Sequence, residues 1–199
     1  MSWIQSIGLE QAQGRLRALY ERLATAGPLD NIITVHGLRP HTLDGHLALY
    51  RAAVHHSANT LPKTYLEAIG VRVSRLNGCR YCVVHHSEGL RREAGDPARA
   101  DALLAALDAP SPGAPFTASE QAGLHYADRL TRTPAQVSES DIQGLRASGL
   151  DDGQILEINQ VVGYFCYANR VVLGLGVALE ADGHGQSHPV PDNDTQGMP

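Results

Sequence analysis

The stretch after Asp151 constrains the fold class more than any other part of this chain. Apolar residues fall at Ile155, Ile158, Val161, Val162, Phe165, Val171, Val172 and Leu175, the spacing of a helix rather than the strict alternation of a strand. Residues 155–179 are apolar around most of the helix circumference, so this helix belongs at the centre of the molecule or at a subunit interface. Asp151 supplies an N-cap for it.

The rest of the chain repeats helical spacing. Leu9, Ala12, Leu16, Leu19 and Leu23 form one stripe, stopped by Gly27-Pro28. A short segment covers 31–37, and Pro40 opens a helix running to about His55. Leu61-Pro62 marks another start, with Pro62 at the first helical position, and Leu66, Ile69, Val73 and Leu76 follow before a stop at Gly78. Residues 82–93 contain no breaker until Gly95. Asp96-Pro97 opens a helix within 94–107. Thr117-x-x-Glu120 is a capping box ahead of Leu124 and Leu130, and Ser138-x-x-Asp141 resembles a second, before a helix ending near Gly149. No alternating pattern competes anywhere, so the expected fold is all-α. The helical domain should span 1–180, with the proline-rich 108–116 (DAPSPGAPF) a possible subdomain junction. The polar, Gly- and Pro-rich tail 181–199 reads as disordered or draped over a neighbour.

Composition narrows the function classes. At 199 residues the chain is long enough for one domain with a sizeable core, and 43% hydrophobic with 19% charged residues is ordinary for a soluble globule. A net charge of −5 and a single lysine, Lys63, leave no basic surface for nucleic acid. The N-terminal MSWIQSIGLEQ lacks the basic flank and apolar core of a signal peptide, and no run is apolar for ~18 residues. Three cysteines do not make a secreted disulfide framework. The expectation is a cytoplasmic enzyme without membrane or nucleic-acid partners.

Its chemistry concentrates in residues 67–86, EAIGVRVSRLNGCRYCVVHH. Cys79 and Cys82 stand at CxxC spacing, His86 follows Cys82 by four residues, and Glu67 precedes Cys79 by twelve. If a helix starts at Cys79, both sulfurs lie in its first turn, where free N–H groups and the helix dipole favour a thiolate. His86 then shares a face with Cys82. Generic CxxC reasoning makes Cys79 the nucleophile, whereas the His86 spacing favours Cys82. Sequence physics leaves that choice open. Glu67, flanked by Leu66, Ala68 and Ile69, reads as a buried carboxylate in need of a partner.

Alternatives for the CxxC are weaker. A structural zinc site needs four ligands, usually as two paired sets, and Cys166 is far away in an apolar run. A haem attachment site would put histidine where Val83 stands. A thioredoxin motif would follow a strand. A purely structural CxxC disulfide would close too short a loop to restrain much chain.

The pattern Glu67-x11-Cys79-x2-Cys82-x3-His86 resembles the signature of the AhpD-like alkyl hydroperoxidases, within the carboxymuconolactone decarboxylase superfamily. The stretches SRLNGCRYCVVHH (74–86) and YANRVVLGLGV (167–177) resemble its "peroxidase-related" branch. The resemblance implies a helical bundle that oligomerises, and a thiol-dependent peroxidase without a cofactor. Cys82 would be oxidised by a hydroperoxide, Cys79 would resolve it as a disulfide, and Glu67 with His86 would relay the proton. A protein dithiol, a lipoyl domain or a thioredoxin-like protein, would reset the disulfide. Tyr81 departs from the family's best-studied members, which carry histidine there, and a tyrosine with pKa near ~10 does not shuttle protons as histidine does. His85 is read as a substitute for it or as a surface residue. The alternatives carried forward are a decarboxylase-like lyase on the same fold and a zinc-binding helical module.

Other residues take bland readings. Cys166 is a small core residue, and Asn169-Arg170 pairs with a carboxylate or lines the pocket. The pair His55/His56 and the spread His36, His41 and His46 are exposed or satisfied in the core.

Overall fold

The structure is a computed structural model describing residues 2–24 and 27–181, and over these it is helical with no strand. The helices are α1 (Gly14–Ala24), α2 (Asn31–Val35), α3 (Pro40–Tyr50), α4 (Lys63–Leu76), α5 (Arg80–Ala94), α6 (Pro97–Ala106), α7 (Ala118–Arg132), α8 (Glu139–Ala147) and α9 (Asp152–Leu175). No helix among the described residues is long and apolar enough to cross a membrane. The tail expected from 181 lies, from 182 onward, outside the described residues.

Local chemistry sets most boundaries. Thr117 caps α7 in a capping box with Glu120, and Asp151 caps α9 by accepting from the Gln154 N–H. Asp96 accepts from the Arg99 N–H at the start of α6. Three boundaries differ from the sequence reading. The Leu9–Leu23 stripe is not one helix: a 3₁₀ turn (Leu9–Gln11) ends at Ala12, whose extended backbone (φ −70°, ψ 139°) separates it from α1. Pro62 is the N-cap of α4 rather than its first helical residue. The helix opened by Pro40 reaches His55 only by changing pitch, through a π-turn over Arg51–His55.

α4, not α9, is the central helix. Every residue from Tyr65 to Ser74 is buried, and α4 packs against α5, α7 and α9. α9 buries one face on α4 and α7 but leaves Leu156 (58%) and Leu173 (43%) exposed. α9 is thus not central within the single chain, and apolar periodicity understated the burial of α4, where Glu67, Arg72 and Ser74 interrupt the hydrophobic run yet lie inside.

Arg72 shows how such a group is accommodated. Its guanidinium donates to Asp128 (2.7 Å) and to the carbonyls of Leu107 and Ala109 (2.8 Å each) and Pro110 (3.0 Å), pinning the start of the 108–116 connection to α4. The main core draws residues from both sides of that connection, from Tyr50 to Ala168. A second cluster joins α1 to α3 through Leu16, Leu19, Tyr20, Leu43 and Leu47. A third and smaller one gathers Val35, Tyr81, Val172 and Val177 around Cys79 and Cys82. Each fully buried leucine is worth ~1.5–3 kcal/mol, so the two larger clusters carry the stability and the third seals the sulfurs.

Candidate active site

The turn between α4 and α5 places the sulfurs. Gly78 adopts φ +70°, a left-handed conformation that side chains disfavour, and this reverses the chain so that Cys79 becomes the N-cap of α5. Cys82 then sits in the first turn. Both cysteines are free thiols, 0% and 3% exposed, with their Sγ atoms 3.1 Å apart. That distance is a hydrogen bond between sulfurs, well beyond the ~2.05 Å of a disulfide.

This hydrogen bond splits the two acidities. It holds the Cys79 thiol below its ordinary value against burial, helped by the Cys82 backbone N–H and the Asn169 side chain. The same bond pushes Cys82 well above its ordinary value, and burial adds to the rise. The thiolate bias expected of both sulfurs at a helix start therefore falls on Cys79. Asn169 is placed by two further bonds, accepting from Asn77 Nδ2 (2.9 Å) and donating to Ser74 Oγ (3.1 Å). Of the Asn169-Arg170 pair, Asn169 enters the site. Arg170 is exposed and donates to the Cys166 carbonyl, and Cys166 packs half-buried against the core.

Glu67 and His86 meet across the α4–α5 contact. The Glu67 carboxylate is 0% exposed, and its Oε2 accepts from His86 Nδ1 at 2.7 Å. A carboxylate only accepts, so it fixes the proton on Nδ1 and leaves Nε2 as the basic nitrogen of His86. Gly89 makes this possible, because a Cβ there would lie 2.8 Å from the Glu67 carboxyl carbon. The His86 ring stands edge-on to Phe165, with centroids 4.5 Å apart. Tyr164 is influenced by both the Cys82 sulfur and the Glu67 carboxylate, which puts the two pairs in one buried neighbourhood.

On the other side of α5, Tyr81 and His85 hold the chain that follows α9. Glu180 accepts from Tyr81 Oη (2.9 Å), His85 Nε2 (2.8 Å) and the Asn31 N–H (2.9 Å), while the Ile32 N–H donates to Tyr81 (3.2 Å). The Tyr81 and His85 rings stack at 4.2 Å. Burial, with nearby Asp30 and Glu180, raises the Tyr81 hydroxyl far above its ordinary value, so Tyr81 is a fastening rather than a proton carrier. His85 is buried, not a surface residue. Asp30, His85 and Glu180 each offer a ligand atom within 4.8 Å of the others; among the described residues this is the group able to hold a cation, and neither cysteine belongs to it.

Several residues escaped the sequence reading. His36, His46 and His55 are buried, with His36 stacked on His46 (4.8 Å). His46 Nδ1 and His55 Nε2 are buried without a hydrogen-bond partner, so these two are not satisfied in the core as expected. Burial pushes His46 down to about 3 and His55 down to about 4, which leaves both rings neutral near pH 7. Tyr50 stands edge-on to both His55 (4.7 Å) and His86 (5.9 Å). The ring-bearing positions Tyr50, His55, Tyr164 and Phe165 converge only through the α3–α9 packing, which no local motif encodes. The π-turn had no Gly or Pro to announce it.

Residues 40–129 match the carboxymuconolactone decarboxylase family. Among solved structures, a peroxidase-related protein from Silicibacter sp. TM1040 is 27% identical with a TM-score of 0.74, over 94% of this chain and 93% of that one. The alkylhydroperoxidase AhpD core of a peroxidase-related protein from Ralstonia eutropha JMP134 is 24% identical with a TM-score of 0.79, over 94% and 96%. The debrominase Bmp8 in complex with 2,3,4-tribromopyrrole shares the fold at 18% identity and a TM-score of 0.71, over 92% and 96%. No curated protein sequence matches the chain at a significant level.

Proposed function

The chain belongs to the carboxymuconolactone decarboxylase superfamily, in its AhpD-like, peroxidase-related branch, and from that premise we propose that it is a thiol-dependent peroxidase. The observation that carries this reading is a free dithiol with sulfurs 3.1 Å apart, buried beside a carboxylate–imidazole pair joined at 2.7 Å. A decarboxylase-like lyase would have no use for that dithiol.

The two acidities suit two roles. Cys82, the more basic sulfur, is the stronger nucleophile once deprotonated. His86 Nε2 takes its proton, and Glu67 stabilises the imidazolium. The Cys82 thiolate attacks the terminal oxygen of ROOH, the O–O bond breaks, and Cys82 becomes a sulfenic acid. Cys79, the more acidic thiol, gives its proton to the departing alkoxide, which leaves as ROH. The Cys79 thiolate then attacks the Cys82 sulfur, and the displaced hydroxide takes the proton held on His86 and leaves as water. An external protein dithiol, lipoyl-bearing or thioredoxin-like, reduces the Cys79–Cys82 disulfide by exchange at Cys79. Such turnover fits a cytoplasmic setting and needs no bound cofactor. A second copy of the chain is proposed to cover the exposed side of α9 at Leu156, Tyr167 and Leu173, and light scattering at micromolar concentration tests that assembly.

A thiol count before and after one equivalent of an organic hydroperoxide tests the function. Two thiols should disappear and Cys166 remain. Retention of all three would overturn the peroxidase reading in favour of a lyase, and stoichiometric zinc in the purified protein would favour a metal-stabilised module.

A further inference from the structure

Glu67 sits between two histidines, and the relay described above uses only one. Its Oε2 is taken by His86, whereas its Oε1 is buried with no hydrogen-bond partner. The nearest complement is His55 Nε2, 3.8 Å away, buried and equally without a partner. A donor and an acceptor left facing each other inside a protein are costly, and moving one ring by about 1 Å would bring them to the ~2.9 Å of a normal bond. His55 is the last residue of the Arg51–His55 π-turn, a distortion that places its ring against α4 and that recurs at functional sites. Tyr50 braces His55 and His86 from one side, so the two imidazoles and the carboxylate form a continuous buried group.

We propose that His55 is a positioning residue of the relay: its Nε2–H closes onto Glu67 Oε1 and holds the carboxylate as an aimed anion between two imidazoles. This rests on the thiol-peroxidase reading for its purpose, though not for its geometry. Five groups face His55 or share its surroundings: Glu67 and Lys63 from α4, His86 and Arg92 from α5, and Tyr50 from α3. Burial is the largest influence on His55 and keeps its ring neutral, with Glu67 pulling the other way. A neutral imidazole holds one ring proton, and the carboxylate fixes it on Nε2. If that donor is removed, the Glu67 carboxylate loses a hydrogen bond and its fixed aim at His86, so it supports a charged His86 less well and deprotonation of Cys82 becomes harder.

The test compares His55→Leu, which removes the donor, with His55→Gln, which returns an N–H. Two readouts are followed against pH in a Cys79→Ser background, which leaves Cys82 as the remaining thiol of the pair: ultraviolet thiolate absorbance, which needs no peroxide, and the rate of sulfenic acid formation with an organic hydroperoxide. In the Leu variant the acid limb of both profiles should move to higher pH and the rate at neutral pH should fall about tenfold or more. The Gln variant should return both to within about threefold of wild type. If His55→Leu fails to fold, His55→Asn replaces it: its shorter amide falls short of Glu67, so it should behave as predicted for Leu. Profiles that stay at the wild-type position in the donor-less variant, or that move equally in both variants, would overturn the proposal. A wild-type protein that consumes no hydroperoxide, beside His55 variants that show the predicted thiolate shifts, would refute the peroxidase reading and leave the role of His55 standing.

Discussion

His85 and His86 are consecutive residues of α5, and each holds a glutamate: Glu180 at 2.8 Å and Glu67 at 2.7 Å. The pairs look alike until the rest of each carboxylate is followed. Glu180 is saturated, since it also accepts from Tyr81 and the Asn31 N–H. Burial opposes its charge, but the bonds from His85 and Asn31 overcome this and pull it down to about 2. Glu67 is wholly buried and has one oxygen still without a partner. Glu180 is spent on tying α2 and α5 to the chain after α9, whereas among the described residues Glu67 has only imidazoles as hydrogen-bonding neighbours, His86 directly and His55 at 3.8 Å. On the proposed mechanism the outer pair is a clasp and the inner pair a relay. Adjacent residues in a helix point about 100° apart, so one residue of offset separates a structural role from a chemical one.

The sharpest break in this comparison comes from the sulfurs that both pairs flank. Cys82→Ser should abolish hydroperoxide consumption, while Cys79→Ser should permit one oxidation and then stall as a trappable sulfenic acid. Sulfenic acid found on Cys79 of a Cys82→Ser protein that still consumes peroxide would reverse the two roles. That result would give weight to the greater acidity of the Cys79 thiol over the His86 spacing.

Next in size is the difference between the histidines themselves. Glu67→Gln or His86→Ala should slow sulfenic acid formation by ~10–10³-fold, in line with general acid–base contributions of ~10²–10⁴. His85→Ala should leave that step within about threefold, and equal losses at both positions would erase the distinction between relay and clasp. Gly89→Ala probes the inner pair from behind. Its methyl would press on the Glu67 carboxylate, and overpacking of this kind costs about 1–3 kcal/mol. Unfolding measurements should show that loss, accompanied by slower oxidation. A Gly89→Ala protein with normal stability would mean that the α4–α5 contact is looser than its geometry indicates.

The inner pair was legible in the sequence because it is local. Glu67, Cys79, Cys82 and His86 span twenty residues of two consecutive helices, so helical spacing nearly suffices to bring them together. Gly78 and Gly95 punctuated α5 from both ends, and the caps at Thr117 and Asp151 marked α7 and α9. What stayed hidden depends on long-range packing. Glu180 lies ninety-five residues from His85, beyond the last helix, in a stretch whose composition resembles the start of a tail. His55 is separated from Glu67 by the whole 56–62 connection and is aimed by a π-turn that leaves no periodic signature. Tyr81 illustrates the cost of reading a residue only against a motif. In the position of a relay histidine it read only as a missing proton shuttle, yet its hydroxyl ties α2 and the post-α9 segment onto α5.

The clasp covers the sulfurs through Val35 of α2 and Val177 after α9, and this gives a smaller, independent prediction. Glu180→Gln weakens three bonds at once. It should raise the rate at which a small alkylating reagent reaches the reduced dithiol by several-fold, since low-stability segments govern access to buried groups. The rate of sulfenic acid formation at saturating peroxide should change less. An unaltered alkylation rate would show that the sulfurs are reached by another path.

The smallest effect concerns how the clasp depends on pH, where Asp30 opposes Glu180. Burial pushes the Asp30 carboxyl from 3.8 up to about 7, with His85 acting against the rise and Glu180 with it. A raised acid contributes stability that is complete below its unfolded value of 3.8 and is lost as pH rises through about 7. Glu180 behaves in the opposite sense. Its folded value is lowered from 4.5 to about 2, so its contribution is complete above 4.5 and is lost as pH falls through about 2. Taken together, the two groups make the clasp tightest in mildly acidic solution. Asp30→Asn should flatten the decline in stability between about pH 4 and pH 7 while leaving the acid limb in place, and Glu180→Gln should do the reverse. Melting curves of the three proteins from about pH 2 to about pH 7 provide the measurement. If Asp30→Asn leaves the upper limb unchanged, the Asp30 carboxyl is ionised at neutral pH in the folded protein, and burial does not govern its charge within the clasp.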